Sequence, residues 1–143
     1  MSYGWEPDDV VSVIEHLNDK YGQEALDIIK EALFLSAAAW GKELAQKESN
    51  GTSPKTFIRN FTEGPKATST IIEEDDNHAI IETTKCRSCE IFKELGKLEI
   101  GYQSKCLQDY GIIYGYNQNI NLTIEKCMMK GDRSCIHHYK MKT

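Results

Sequence analysis

The run Ile120-Asn121-Leu122-Thr123-Ile124-Glu125-Lys126-Cys127-Met128 alternates apolar and polar residues. After the turn Lys130-Gly131-Asp132-Arg133, a second alternating run extends from Ser134 to Met141. A period of two predicts half-buried strands, and two such runs around a short turn predict an antiparallel hairpin. Ile120, Leu122, Ile124 and Met128 then share one face, and Thr123, Glu125 and Cys127 the other. In the closing strand Cys135, His137 and Tyr139 fall on one face, and Ile136, His138 and Lys140 on the opposite one. Centring the hairpin on Gly131 sets Cys127 against Cys135 and Glu125 against His137, a patch of two thiols, a carboxylate and an imidazole. That grouping depends on register, because a slip of one residue scatters it.

Outward from this hairpin, Thr68 to Glu73 and Ala79 to Thr83 are β-branched runs joined by Asp75-Asp76-Asn77, which predicts a second hairpin. Between the hairpins, one helix is predicted to follow Cys86 and end at Gly96. A second begins at Ser104 and carries Cys106, Leu107, Tyr110, Ile113 and Tyr114. The first 62 residues read as helical. Val10, Val13, Ile14, Leu17 and Tyr21 form one stripe, and Leu26, Ile29, Leu33, Ala37, Trp40 and Leu44 another. A short third helix starting at Ser53-Pro54 presents Phe57, Ile58 and Phe61. The expected fold is therefore α+β: an antiparallel sheet of about four strands, made of two hairpins, with packed helices. One domain spans 1–143, with 1–62 helical and 66–143 mixed and carrying every cysteine.

Composition narrows the function. The chain has 143 residues, 40% hydrophobic and 27% charged, with a formal net charge of -5, a size and balance suited to one soluble globular core. An acidic chain lacks the basic face that a nucleic-acid backbone requires. Ala32 to Trp40, the most apolar stretch, is too short to cross a membrane. The amino-terminal MSYGWEPDDV has neither the basic nor the apolar region of a secretory signal, so a cytoplasmic location is expected.

All five cysteines, Cys86, Cys89, Cys106, Cys127 and Cys135, lie in the last 58 residues. An odd number without a leader argues against a disulfide framework and for core thiols, metal ligands or nucleophiles. Cys86-Arg87-Ser88-Cys89 stands at a strand-to-helix junction, where helix amides and Arg87 stabilise a thiolate. Cys106 and Asp109, three residues apart, project from one side of their helix. Sulfur donors at Cys106, Cys127 and Cys135 suit zinc, although the spacing is not that of a zinc ribbon. Structural readings stand beside these: Cys106 as a small core residue, Cys86 and Cys89 as structural thiols, His138 as a packed histidine, Asp132 as part of the turn. His16 and His78 are expected at the surface, and Glu73-Glu74-Asp75-Asp76 at a solvated hairpin tip.

Taken together, Ile81 to Cys86, Glu90 to Gly96, Cys106-Leu107-Gln108-Asp109 and Met128 to Cys135 resemble the L-2-amino-thiazoline-4-carboxylic acid hydrolase family. Gly22 to Ala45 is similar to its amino-terminal part. The resemblance implies a hydrolase that opens a small cyclic amidine to a carbamoyl-cysteine. It also implies kinship with a TRAPP-like superfamily of vinyl-reductase-like and phenol-responsive sensor domains, whose members often pair as homodimers. In the phenol sensors a zinc is held by a cysteine before a helix and by a glutamate and two cysteines of the last hairpin. Cys106, Cys127 and Cys135 match that layout, while Ile124 stands where the sensor has its glutamate. Two functions follow. One is a cysteine-based hydrolase, with Cys106 or Cys86 as nucleophile, His137 as base, Asp109 orienting it, and Glu125, Tyr110 and Tyr139 lining the substrate pocket. The other is a non-catalytic, zinc-containing domain that binds a small molecule. The lack of an attached output domain counts against the sensor.

Overall fold

The described residues form twelve elements, most of them set by local rules. In the computed structural model, which describes residues 7–143, helix α1 (Pro7–Tyr21) opens on a proline with Asp8 and Asp9 in its first turn. Both suit the amide-rich end of a helix. Residues 1–6 of the stretch read for a secretory signal lie outside the described residues. Gly22, at φ +71, makes the left-handed break before α2 (Gln23–Gln46). α3 (Pro54–Thr62) is set by a reciprocal capping box between Ser53 and Thr56. It buries Phe57 and Ile58 completely.

The first hairpin is β1 (Ser69–Glu74) and β2 (His78–Thr83). At its tip Asp75 Oδ1 accepts the backbone N–H groups of Asn77 and His78. Next come α4 (Arg87–Glu94), the short α5 (Leu98–Gly101), a π-helical turn over Tyr102–Cys106, and α6 (Gln108–Tyr116). The second hairpin is β3 (Ile120–Lys126) and β4 (Cys135–Met141), joined through a 3-10 turn at Met128–Lys130. The sheet is antiparallel in the order β1-β2-β4-β3, so each hairpin contributes one inner strand and β2–β4 pairing fuses them. The α+β architecture expected from the alternating runs is the one present. No helix among the described residues is long and apolar enough to cross a membrane.

Three local expectations are corrected. α1 buries Val11 and Ile14 and leaves Val10 and Val13 at the surface, because it packs on both α2 and α4 and its inner stripe is turned by one residue. Helical structure does not begin at Ser104. It runs on from Leu98, and Ser104 is buried within the π-turn, its hydroxyl donating to the carbonyl of Ile100. Finally, the last hairpin is not a tight turn about Gly131. β3 ends at Lys126, and a bulge at Glu125 shifts the register, so Ile124 pairs with His137 and Lys126 with Ile136. An extra residue on one strand reverses the faces beyond it. Glu125 therefore points to the outer side of the sheet, where its carboxylate is 3.5 Å from His138 Nδ1, and Cys127 joins Ile124 on the inner side.

Helix α6 lies directly on α2, and glycines make the approach possible. A Cβ at Gly115 would stand 1.9 Å from the carbonyl oxygen of Ala38, and one at Gly41 2.0 Å from that of Ile112. The obstacle is backbone in both cases, so no rotamer change relieves it. We expect Gly115→Ala to cost at least about 1–3 kcal/mol of stability. Glu43→Ala, exposed on α2, should stay within about 0.5 kcal/mol. Urea denaturation of the two variants checks this.

Candidate functional site

Three pairs of side chains define the floor of a cavity between the inner face of the sheet and the α2–α6 layer. Along β4 the inward residues are Cys135, His137 and Tyr139; along the π-turn and α6 they are Cys106, Asp109 and Ile112. The two series run in the same direction. Cys106 lies within electrostatic range of Cys135. The Asp109 carboxylate meets His137, and Ile112 and Tyr139 share one apolar cluster. The cavity encloses about 580 Å³.

At the first pair the cysteines converge from separate elements. Cys106 closes the π-turn, and its sulfur is 3.7 Å from that of Cys127. The Cys127 N–H donates to Asp132 Oδ2 at 2.9 Å, and the Met128 N–H donates to Cys135 Sγ at 3.2 Å. Asp132 thus serves the turn, and that turn presents both hairpin sulfurs. Cys86 is the N-cap of α4: the Cys89 N–H donates to its sulfur at 3.4 Å, and the side chain is half-buried at the cavity wall. Cys89 is buried behind it and does not line the cavity. All five thiols are free.

Environment makes these thiols unequal. Burial pushes the Cys106 thiol far above its ordinary range, and Cys127 and the Asp109 carboxylate beside it push the same way. Burial raises Cys135 to about 11, opposed in part by the Met128 N–H. Cys89 is raised too, by burial first and by Cys86 second. A buried thiol without a cation stays protonated.

The second pair joins an imidazole to an acid. His137 Nε2 is 3.1 Å from Asp109 Oδ2, and the ring stacks on Tyr139 at 6.2 Å between centroids. A carboxylate oxygen accepts, so the tautomer that satisfies this contact carries its proton on Nε2 and donates Nε2–H to Asp109. That leaves the Nδ1 lone pair, which is buried and has no hydrogen-bond partner among the described residues. An uncompensated buried acceptor is costly to keep, and such atoms concentrate where chemistry uses them.

Of the residues the sequence nominates, Cys86, Cys106, Asp109, Cys127, Cys135, His137 and Tyr139 border this cavity. Two nominees do not. Glu125 is on the outer face, displaced by its bulge. Tyr110 follows Asp109 on α6 and is more than one-third exposed, outside the cavity wall. Sequence reasoning missed Lys85 and Lys105 at the rim and Trp40 and Phe61 at the far end. Flanking two site cysteines was the only signal for the lysines. Trp40 and Phe61 were read as core.

As a zinc set, Cys106, Cys127 and Cys135 offer the right donors. Even so, among the described residues no group of three or more His, Cys, Asp or Glu is placed to hold a metal ion. Ile124, at the position of the sensors' glutamate, adds only hydrocarbon to the wall.

Over residues 5–139 the chain matches the family of L-2-amino-thiazoline-4-carboxylic acid hydrolase. No curated protein matches it in sequence. Its fold is similar to the phenol-responsive sensory domain of the transcription activator PoxR, with TM-score 0.66 and 15% identity over 96% of this chain and 75% of that one. It is also similar to an H-NOX protein from S. oneidensis, with TM-score 0.53 and 12% identity over 98% and 78%.

Two outcomes test the unequal thiols. Iodoacetamide at neutral pH should label Cys86 first in the folded protein and spare Cys106 and Cys135, as read by peptide mass mapping. Because folding raises Cys135 from 9.0 to about 11, the unfolded chain releases that proton first. This contribution to stability is therefore complete below about pH 9 and declines as pH rises toward 11. Denaturation midpoints between pH 7 and 11 check it.

Proposed function

The chain belongs to the L-2-amino-thiazoline-4-carboxylic acid hydrolase family, and on that premise we propose that its cavity opens a small cyclic amidine by cysteine-based hydrolysis. The observation that carries this reading is the His137 Nδ1 lone pair, unpartnered and held in one tautomer by Asp109. A base oriented by a carboxylate beside a thiol-lined wall is the arrangement nucleophilic catalysis requires. Cys86 is the better of the two nominated nucleophiles. Its sulfur accepts an amide N–H at a helix N-terminus and is half-exposed, whereas Cys106 is held as the neutral thiol first by burial and further by the neighbouring Cys127 and Asp109.

In this scheme His137 Nδ1 removes the Cys86 thiol proton as sulfur attacks the amidine carbon. The ring carbon–sulfur bond breaks, and the imidazolium returns its proton to the departing ring sulfur. A water then adds to the same carbon, giving its proton to His137. The Cys86–carbon bond breaks, and the protonated imidazole restores the thiol. One water is consumed, and a carbamoyl-cysteine carrying a free thiol is released. Asp109 stabilises the imidazolium formed in both halves.

A second reading, a non-catalytic zinc-containing ligand-binding domain, draws on one distance. The 3.7 Å between Cys106 and Cys127 sulfurs is close to the ~3.8 Å edge of a tetrahedron with zinc–sulfur bonds of about 2.3 Å. Cys135 is the third donor in that reading. No step of the hydrolysis uses zinc.

With 2-amino-thiazoline-4-carboxylate as substrate and carbamoyl-cysteine measured by mass spectrometry, Cys86→Ser should abolish turnover. His137→Gln should lower kcat by about 10²–10⁴-fold. Full activity of Cys86→Ser, with loss in Cys106→Ser, would exchange the thiol roles. Absence of turnover, together with one zinc per chain lost in Cys127→Ser, would support the second reading instead.

A further inference from the structure

The cavity is larger and more divided than a five-membered ring with one carboxylate requires. A volume of about 580 Å³ lies within the ~300–1,000 Å³ of sites that enclose drug-sized molecules. Its two ends differ in chemistry. Lys85, Arg87 and Lys105 border the end that carries the thiols. All three are exposed, and none takes part in an ion pair or side-chain hydrogen bond among the described residues. Asp109, the one acid of the lining, is committed to His137. A chain of net charge -5 therefore gathers three uncommitted cations at the mouth of one cavity, a field that draws in an anion.

The opposite end is largely hydrocarbon, with Thr68 and Ser69 as polar members of its lining. Past the Asp109–His137 pair come Ile112 and Tyr139 and then Trp40 and Phe61, whose rings meet edge to face at 6.3 Å. Trp40 remains 43% exposed although it borders the cavity, so part of a large apolar surface there is left uncovered by the described residues. The Asp109–His137 pair sits between the two ends. A bare ring held at the thiols leaves this apolar end filled with water.

From this division we infer that the natural ligand is a carboxylate carrying a bulky apolar substituent. Its anionic group lies at Lys85, Arg87 and Lys105, and its aryl or branched-alkyl body extends past Ile112 to Trp40 and Phe61. The inference rests on the reading of this cavity as the substrate site and adds the class of molecule it takes. Apolar burial supplies most of the affinity, since exposed cations contribute little each. The charges set orientation, turning the reactive carbon toward Cys86 and His137.

Calorimetric titration with three probes tests the inference: 1-naphthylacetate, the neutral 1-naphthylacetamide of the same shape, and acetate. We expect 1:1 binding of naphthylacetate, weaker binding of the amide, and none of acetate. The double variant Arg87→Gln/Lys105→Gln should weaken naphthylacetate about fivefold while leaving the amide within about twofold. Trp40→Ala should weaken both by about tenfold. Circular dichroism of each variant confirms folding. Equal affinity for the acid and the amide overturns the anionic end, and an unaltered Trp40→Ala affinity overturns the apolar end. Binding requires no bond cleavage, so this result is separable from the hydrolase reading. Turnover of 2-amino-thiazoline-4-carboxylate without naphthylacetate binding refutes the ligand class alone. Binding that persists in a protein without turnover refutes the hydrolysis alone.

Discussion

The placement of α6 across the sheet governs the rest of the structure. The helix can lie where it does only because Gly41, Gly111 and Gly115 let two backbones approach until carbonyl oxygens occupy the space of absent side chains. From that position Asp109 reaches β4 and meets His137. A bond between a helix and an inner strand fixes both translation and rotation, so the thiols above it and the apolar residues below it fall into step. The inner strand matters as much. β4 is hydrogen-bonded on both sides, and strands held by two ladders are the least prone to local opening. His137 and the Cys135 sulfur thus stand on a rigid part of the fold, which suits a site whose geometry must be kept.

Which parts were legible in the sequence follows from which interactions are local. Period-two runs gave both hairpins, and Ser53-Pro54 gave the start of α3, because alternation and capping are set within a few residues. The inward series Cys135, His137, Tyr139 was readable for the same reason. The bulge at Glu125 was not. Nothing in Ile124-Glu125-Lys126 differs from a regular alternating strand. What displaces it is the demand of the loop, where Asp132 binds the Cys127 N–H and Met128 binds Cys135. Those bonds link residues five and seven apart across a turn whose length the alternation does not specify. One extra residue moved Cys127 inward and sent Glu125 outward to His138. The π-turn was hidden likewise, since Tyr102 to Cys106 has no sequence mark distinguishing it from α-helix.

The cysteines show how far composition can carry an argument before environment takes over. Five thiols in one half of a chain announced a site, but their chemical differences come from burial and from a few amide groups. Cys86 and Cys106 border the same cavity, yet one receives an N–H at a helix start and the other is buried beside Cys127 and Asp109. Solvation outweighs proximity here. Membership in a hydrolase family and a fold shared with sensory domains are compatible, because a fold supplies the cavity and the side chains within it decide the chemistry.

A π-turn is a helix holding one residue more than its neighbours need. The surplus between Gly101 and Leu107 advances the angular phase of all that follows by about 100°. Loss of a single codon there would restore an ordinary helix and swing either the sulfur of Cys106 or the carboxylate of Asp109 away from the sheet. Point substitutions can be absorbed in this segment more readily than any change in its length. Among related chains, the spacing from Gly101 to Asp109 is therefore a sharper mark of a shared reaction than the identity of the residues between them.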